Sequence, residues 1–185
     1  AVAALGTAFT SRHATLIKRY VKEVVLTFDS DEAGIKAALR AIPYLKDAGI
    51  AIKILSMKPY KDPDEFIKAL GRDAYEERIK NATNYFIFQV GVEEKKYNLD
   101  DPQEKTAFHK KVAEMILDFN DEIERENYIE SVCEIFKIPK DGLAKLVKKT
   151  GLTYVGKEEK ETYEDYQEKK QKKEDASMQA QRILL

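Results

Sequence analysis

The most constraining feature of the sequence is an alternation of short apolar runs with helix-like segments over residues 1–71. The runs are "AVAAL" at residues 1–5, "EVVLTF" at residues 23–28 and "IAIKILSM" at residues 50–57. Each is long enough for a buried strand and is followed by apolar residues at helical spacing. Strands that alternate with helices through short connections favour a parallel sheet with flanking helices. Right-handed crossovers would then place the carboxyl ends of the strands at one edge, where open α/β sheets bind their ligands.

Local signals set the predicted ends of the helices. Thr10 or Ser11 can cap the first helix with a side-chain oxygen. The second helix is predicted from Asp31 to Ala48, and Pro43 within it is expected to kink or split the segment, because proline removes one backbone hydrogen bond. A third helix is predicted in "DPDEFIKALG" at residues 62–71, with proline in its first turn, where the missing N–H costs least.

After Gly71 the sequence predicts helices without strands, near residues 73–94, 103–119, 121–136 and 140–149. The nearly pure charge of residues 157–175, "KEEKETYEDYQEKKQKKED", indicates a linker or a solvated single helix. The predicted organisation is an α/β part, an all-α helical bundle, a charged linker and the start of another helical domain, at residues 1–71, 72–150, 151–176 and 177–185.

Composition excludes several classes of protein. The charges of 32 basic and 33 acidic residues nearly cancel, so the net charge does not imply attraction of polyanions such as nucleic acids. The single cysteine, Cys133, excludes an internal disulfide framework and favours a reducing cytoplasm. No apolar run approaches the length of a membrane span. His13 and His109 lack metal-ligand neighbours, and we interpret both as structural or surface residues.

Acidic side chains follow two neighbouring predicted strands. Asp29 and Asp31 come directly after the second strand, and Asp62 and Asp64 follow the third. Carboxylates that converge on one edge suit Mg²⁺ or Mn²⁺, and two such loops suggest a two-metal phosphoryl-transfer site. Helix capping explains either loop equally well. An Asp-x-Asp pair also occurs in aspartate-nucleophile phosphatases and sugar-nucleotide transferases, so the pair alone selects no reaction.

Three motifs together carry a specific resemblance. The stretches "ALGTAFT", "VVLTFDSDEAG" and "KDPDEFI" closely resemble, in order and spacing, the second half of the Toprim domain of bacterial DnaG-type primases. The helices around "NDEIERENYIESVCEIFKI" resemble the subdomain that follows Toprim in this family, and "QAQRILL" resembles the start of its helicase-binding domain. The implied fold is a partial Toprim-type parallel sheet with flanking helices, then a helical bundle and a charged tail.

The resemblance implies an enzyme that makes short RNA primers on single-stranded DNA from ribonucleoside triphosphates. Asp29 and Asp31 match the family's catalytic metal-binding pair, and Asp62 and Asp64 match its second acidic motif, for two Mg²⁺ or Mn²⁺ ions. Thr7 matches the family's turn at the catalytic edge, which implies a contact with a nucleotide phosphate. Lys61 could contact a phosphate, although a solvated lysine is the more common role for this residue type. The replicative helicase is the implied partner, at the replication fork in the cytoplasm.

Some family features are absent from this stretch. The glutamate motif of the first Toprim strand would precede residue 1, as would the zinc-binding domain, so zinc is expected only there. We therefore expect an incomplete metal site and negligible priming by this stretch alone. Ser30 replaces the usual glycine between the two aspartates, which would be strained if the position required a positive φ.

Two other interpretations stay open. One is a non-catalytic interaction module that contacts the helicase or other primase domains. A Toprim nuclease or an aspartate-nucleophile phosphatase is a third interpretation, although the phosphatases expect Thr or Val where Ala33 stands. Tyr85, Phe86 and Phe88 are predicted to form a packed helix face and not a base-stacking platform, because no basic cluster interrupts them.

Overall fold

The computed structural model describes residues 9–152. The chain divides into two compact units, residues 1–96 and 97–185. The predicted strand at residues 1–5, the charged linker from residue 157 and the domain start at 177–185 lie outside the described residues. The domain boundaries predicted from the sequence therefore stay predictions.

The described part of the first unit contains a three-stranded sheet with flanking helices, in the strand order β1-β2-β3. Its elements are, in chain order, α1 (Ser11–Lys18), β1 (Glu23–Thr27), α2 (Glu32–Asp47), β2 (Ala51–Leu55), α3 (Pro63–Lys80), β3 (Thr83–Asn84) and α4 (Tyr85–Glu94).

The sheet is parallel where the sequence predicts it and antiparallel at one added strand. Strands β1 and β2 run parallel, in a register that ends with Thr27 opposite Leu55. The short β3 pairs antiparallel with β2 through Thr83 and Asn84. The predicted single helix at 73–94 is thus wrong: the Asn84 side chain accepts a hydrogen bond from the Phe86 backbone N–H at 2.8 Å and starts a new helix.

Apolar faces of α1, α2 and α4 pack on the sheet. The main core of the first unit consists of Ala14, Leu26, Ala41, Ile42, Leu45, Ile50, Ile52 and Ile54, with Tyr85 and Phe88 packed against it. The packed role predicted for these aromatic residues is confirmed, and Phe86 is also buried. Burying each large aliphatic side chain contributes about 1.5–3 kcal/mol.

Pro43 was expected to kink or split α2, and the helix is not split. The helix runs from Glu32 to Asp47 and ends before Gly49, whose φ is 69°. Ile42 and Leu45 on either side of the proline are almost fully buried. Their burial stabilises the helical path and offsets the one hydrogen bond that proline removes.

Helix α3 contains a sharp interruption at Gly71, where φ is 81° and ψ is 176°. The sequence predicts a helix end at this glycine, and the helical backbone is interrupted there. A second cluster of buried residues, Leu55, Met57 and Phe66, lies beneath this region. Tyr75 and Ile79, from beyond the interruption, pack against that cluster. The glycine therefore lets both halves of α3 contact one core.

The described part of the second unit is helical. It contains α5 (Pro102–Ile116), α6 (Glu122–Phe136) and a helix over residues 140–152 of the described range, here α7. Asp101 caps α5 by accepting a hydrogen bond from the Gln103 N–H at 2.8 Å. The buried core includes Phe108, Val112, Ala113, Ile116, Phe119, Val132, Leu143 and Val147. Over residues 9–152, no helix is long and apolar enough to cross a membrane.

Cys133 lies in α6 and is partly buried. Burial raises the pKa of its thiol, against a smaller opposing effect of Lys140. A raised pKa keeps the sulfur protonated and weakly nucleophilic. The structure therefore supports a structural role for this cysteine.

Candidate metal-binding edge

The loop after β1 carries Asp29 and Asp31, and both residues are exposed. Oδ1 of Asp31 accepts a hydrogen bond from the Gly34 backbone N–H at 2.7 Å and caps α2. Asp31 therefore has the helix-capping role that the sequence allows as an alternative to metal binding. Only one of its two carboxylate oxygens is engaged by the cap, so the other is left for a ligand.

Gly34 is required by a close approach of two backbone segments. A Cβ at this position would lie 2.1 Å from the carbonyl oxygen of Asp29. Such a distance is far below ordinary van der Waals contact, so a side chain would displace either Asp29 or the start of α2. The sequence analysis missed this role, although the glycine closes the "DSDEAG" motif.

The second acidic loop is organised by reciprocal capping of α3. Asp62 Oδ1 accepts a hydrogen bond from the Glu65 N–H at 2.9 Å, and Glu65 Oε2 accepts one from the Lys61 N–H at 2.8 Å. The Asp64 carboxylate pairs with Lys68 Nζ at 2.6 Å. That hydrogen bond, followed by the charge of Asp64, raises the pKa of Lys68.

A backbone hydrogen bond joins the two acidic loops. The Ser30 N–H donates to the Lys61 carbonyl oxygen at 2.8 Å. The preceding strands β1 and β2 end opposite one another. The structure thus brings together the loop of Asp29 and Asp31 and the loop of Asp62, while Asp64 is directed to Lys68. Thr7 lies outside the described residues.

Ser30 does not have the positive φ that would strain a serine between the two aspartates. Among residues 9–152, the non-glycine residue with positive φ is Lys137. The backbone turn between the two aspartates therefore accepts serine without that strain. The Ser30 Oγ is buried and makes no hydrogen bond to any described residue.

A cavity of about 310 Å³ adjoins the acidic edge. Its walls come from the loop after β1, from α2, from the end of β2 and from α4, and they are mostly apolar. Polar groups at the cavity include Asp29, Ser30, Lys58, Glu94 and Lys95. Its volume is at the lower end of the range for small-molecule sites. This cavity could not be predicted from the sequence, because its lining comes from four separate elements.

The donor chemistry of this edge suits a hard divalent cation, but the number of donors is small. Asp29 and Asp31 offer carboxylate oxygens, and Mg²⁺ is commonly held by one or two carboxylates with waters and substrate phosphates. Within the described range, no group of three or more His, Cys, Asp or Glu side chains could hold a metal ion. The residues thus fit part of a metal site.

The two histidines have local roles within their own helices. His13 Nδ1 accepts a hydrogen bond from the Thr10 N–H at 3.2 Å, and Thr10 Oγ1 accepts one from the His13 N–H at 3.4 Å. This reciprocal pair caps α1, which confirms the predicted Thr10 cap. His109 lies in α5, and burial, followed by the charge of Lys105, lowers its pKa.

Two family models match the chain. A Toprim-like model matches residues 1–67, and a model described as the DnaB-helicase binding domain of primase matches residues 86–141. The second match lies apart from residues 177–185, where the sequence analysis expects a helicase-binding domain to begin.

Curated and solved relatives agree with these models. A DNA primase from Clostridium acetobutylicum is 35% identical over 133 residues, which are 72% of this chain and 22% of the relative. The Aquifex aeolicus primase structure, containing zinc-binding and RNA polymerase domains, matches at 28% identity and a TM-score of 0.51, covering 75% of this chain and 32% of that one. A DnaG primase catalytic domain bound to single-stranded DNA matches at 25% identity and a TM-score of 0.54, over 70% and 43% of the two chains. The chain thus spans about a fifth of the curated relative.

Proposed function

The chain is part of a bacterial DnaG-type DNA primase, and from this premise we propose that its acidic sheet edge contributes to nucleotidyl transfer during RNA primer synthesis. The substrates of the complete enzyme would be ribonucleoside triphosphates on a single-stranded DNA template. The enzyme would act at the replication fork, in the cytoplasm. The phosphatase and nuclease interpretations lack comparable support, because the relatives are DNA primases.

The observation that carries this proposal is the hydrogen bond from the Ser30 N–H to the Lys61 carbonyl oxygen. It links the two acidic loops at the carboxyl ends of adjacent parallel strands. Open α/β sheets bind ligands at such an edge. Two acidic loops fixed to each other there are what a phosphoryl-transfer site requires.

Asp29 and Asp31 would hold Mg²⁺ or Mn²⁺, and Asp62 and Asp64 would complete the acidic edge. The cation would stabilise negative charge on the transferring phosphate. The cap on α2 orients Asp31 through one oxygen and leaves its second oxygen for the ligand. For Asp64 to take part, its carboxylate would have to leave Lys68. Lys61 and Thr7 are proposed to contact phosphate groups.

Asparagine substitutions test the metal-binding role without removing the caps. Asparagine is as good an N-cap as aspartate, so Asp31→Asn keeps the hydrogen bond to α2 while it loses the charge. In the complete primase, we expect Asp29→Asn and Asp31→Asn to lower primer synthesis by about a hundredfold or more, because metal stabilisation of charge is worth several kcal/mol. The same variants should weaken Mn²⁺ binding measured by calorimetry.

Asp121→Asn is a matched control. Asp121 caps α6 in the second unit, where its Oδ1 accepts a hydrogen bond from the Glu124 N–H at 2.7 Å. This variant should prime and bind Mn²⁺ as the parent does. Full priming by folded Asp29→Asn and Asp31→Asn variants would refute the assignment. We also expect the 185-residue chain by itself to show no priming, since it spans only part of its relatives.

The match of residues 86–141 to a helicase-binding model supports a second function for this region. We propose that it contacts the replicative helicase. Helix α6 exposes the apolar side chains of Ile123 at 70% and of Ile135 at 54%, and we propose them as points of contact because they lie within the matched residues.

The helicase proposal is tested with purified DnaB-type helicase and surface variants. Ile123→Ser together with Ile135→Ser should weaken binding to the complete primase in a titration. Leu16→Ser is the control, because Leu16 is similarly exposed at 52% but lies in the first unit, outside the matched residues. Equal affinity of the double variant and the control would argue against α6 as the contact.

A further inference from the structure

Arg78 makes two long-range hydrogen bonds to the segment that precedes the second acidic loop. Its Nη1 donates to the carbonyl oxygens of Ser56 at 2.9 Å and of Lys58 at 3.0 Å. These partners lie 22 and 20 residues earlier in the chain, directly after β2. Hydrogen bonds from a charged donor are stronger than those between neutral groups. Arg78 therefore fastens the backbone where it leaves the sheet.

The guanidinium of Arg78 is itself held in place by an aromatic cluster. It lies 4.8 Å from the centroid of the Phe66 ring. Phe66 is 1% exposed and packs edge-to-face with Tyr60 at 5.4 Å and against Tyr75 at 6.1 Å. A planar charged donor that lies over an aromatic ring is a property of arginine that lysine does not share.

Gly71 makes this contact possible. Arg78 lies in the part of α3 beyond the interruption, whose φ of 81° and ψ of 176° belong to a region that is essentially restricted to glycine. Tyr75 and Ile79 from the same part pack on the cluster around Phe66. The interruption thus allows the end of α3 to return to the segment that precedes its own start.

The segment bound by Arg78 leads directly to the hydrogen bond between the two acidic loops. The Tyr60 N–H donates to the Met57 carbonyl oxygen at 2.9 Å. This hydrogen bond closes a turn between the segment that Arg78 binds and Lys61. Lys61 then accepts the hydrogen bond from Ser30 at 2.8 Å. A continuous backbone path therefore runs from Arg78 to the residue between Asp29 and Asp31.

We propose that Arg78 is a positioning residue that fixes the loop of residues 56–61 and thereby sets the distance between the two acidic loops. The inference rests on the proposed function for its catalytic consequence. Its structural part, the dependence of the Ser30–Lys61 hydrogen bond on Arg78, stands independently of that function.

The experiment compares Arg78→Lys and Arg78→Met with Arg72→Lys as the control. Arg72 lies on the same part of α3, but it is exposed and pairs with Glu76 at 2.7 Å, one turn along the same helix. The first readout is amide hydrogen exchange of Ser30 in the 185-residue chain, with the Leu26 amide of β1 as an internal reference. The second is the Mg²⁺ concentration for half-maximal priming in the complete primase, measured separately from kcat at saturating Mg²⁺.

We expect Arg78→Lys to accelerate exchange of Ser30 relative to Leu26 by about tenfold, because lysine lacks the planar guanidinium that lies over the Phe66 ring and holds the donor at both carbonyl oxygens. The Mg²⁺ requirement should rise by about tenfold or more, as for other residues that support metal ligands indirectly. Arg72→Lys should change neither quantity. A merely stabilising arginine would affect Ser30 and Leu26 equally and leave the Mg²⁺ requirement unchanged.

Unchanged Ser30 exchange in folded Arg78→Lys would overturn the inference. Faster exchange with an unchanged Mg²⁺ requirement would overturn its catalytic part. If Arg78→Met fails to fold, Arg78→Lys still decides the result. If Asp29→Asn primes normally while Arg78→Lys accelerates Ser30 exchange, the proposed metal role fails and the positioning of the loop by Arg78 stands.

Discussion

Substitution of Gly34 by alanine tests the geometry of the acidic edge most directly. The added Cβ would lie 2.1 Å from the Asp29 carbonyl oxygen, and 2.9 Å and 3.0 Å from the carbonyl carbon and nitrogen of the same residue. All three atoms belong to the backbone, so no side-chain rotation can relieve the overlap. The change therefore acts on the position of Asp29 itself.

The size of the effect follows from these distances. Ordinary contact begins at 3.4 Å, so the Cβ and the oxygen would have to separate by 1.3 Å (3.4 minus 2.1). Gly34 is buried, and its N–H also donates to the cap Asp31. Overpacking of a tight site costs about 1–3 kcal/mol, and a backbone overlap of this size belongs at the upper end, about 3 kcal/mol.

Native-state hydrogen exchange measures this loss within the first unit. A destabilisation of about 3 kcal/mol corresponds to roughly a hundredfold faster exchange of the slowest amides of β1 and β2. Slow amides of α6 in the second unit provide a comparison within the same sample. Primer synthesis by the complete enzyme should fall together with the displacement of Asp29.

Gly142→Ala is the matched control. The nearest atom to a Cβ at Gly142 is the Pro139 Cβ at 3.8 Å, an ordinary contact within a helix. Alanine there should stabilise α7 by about 0.4–1 kcal/mol, because it reduces the freedom of the unfolded chain. If Gly34→Ala exchanges as slowly as the parent and primes normally, the close approach does not govern this edge.

Two further predictions concern the second unit. Burial, followed by the charge of Lys105, lowers the pKa of His109 below its ordinary 6.5. The neutral imidazole therefore contributes its full stability above pH 6.5, and this contribution is lost as the pH falls through the pKa of the folded state. The melting temperature of His109→Gln should therefore fall less on acidification than that of the parent, and identical pH profiles would contradict this. Lys137 ends α6 in the left-handed conformation, with φ 55° and ψ 38°, which glycine adopts at lower cost. Lys137→Gly should therefore stabilise the second unit by about 1 kcal/mol in urea unfolding. A lower unfolding midpoint than that of the parent would refute the idea that Lys137 is strained.

The sequence by itself determined the features that depend on a few neighbouring residues. The parallel pairing of β1 with β2, the caps at Thr10 and Asp31, and the interruption at Gly71 all agree with predictions. Capping side chains, glycine and hydrophobic periodicity act over one or two turns, so their signals are legible without any knowledge of the fold.

Other features depend on segments that are distant in the chain. The short β3 replaced part of a predicted helix because an open edge of β2 was available to pair with Thr83 and Asn84. Pro43 stayed inside α2 because the helix face around it is buried. Both outcomes show tertiary contacts overriding a local preference.

The candidate site divides in the same way. The positions of the aspartates after two strands could be read from the sequence, as could the edge on which they lie. The link between Ser30 and Lys61, the approach of Gly34 to Asp29 and the contacts of Arg78 could not. Each joins backbone atoms whose separation is set by how strands and helices pack, and residue identity alone carries no such distance. Only the tertiary structure decided how the acidic loops are held together.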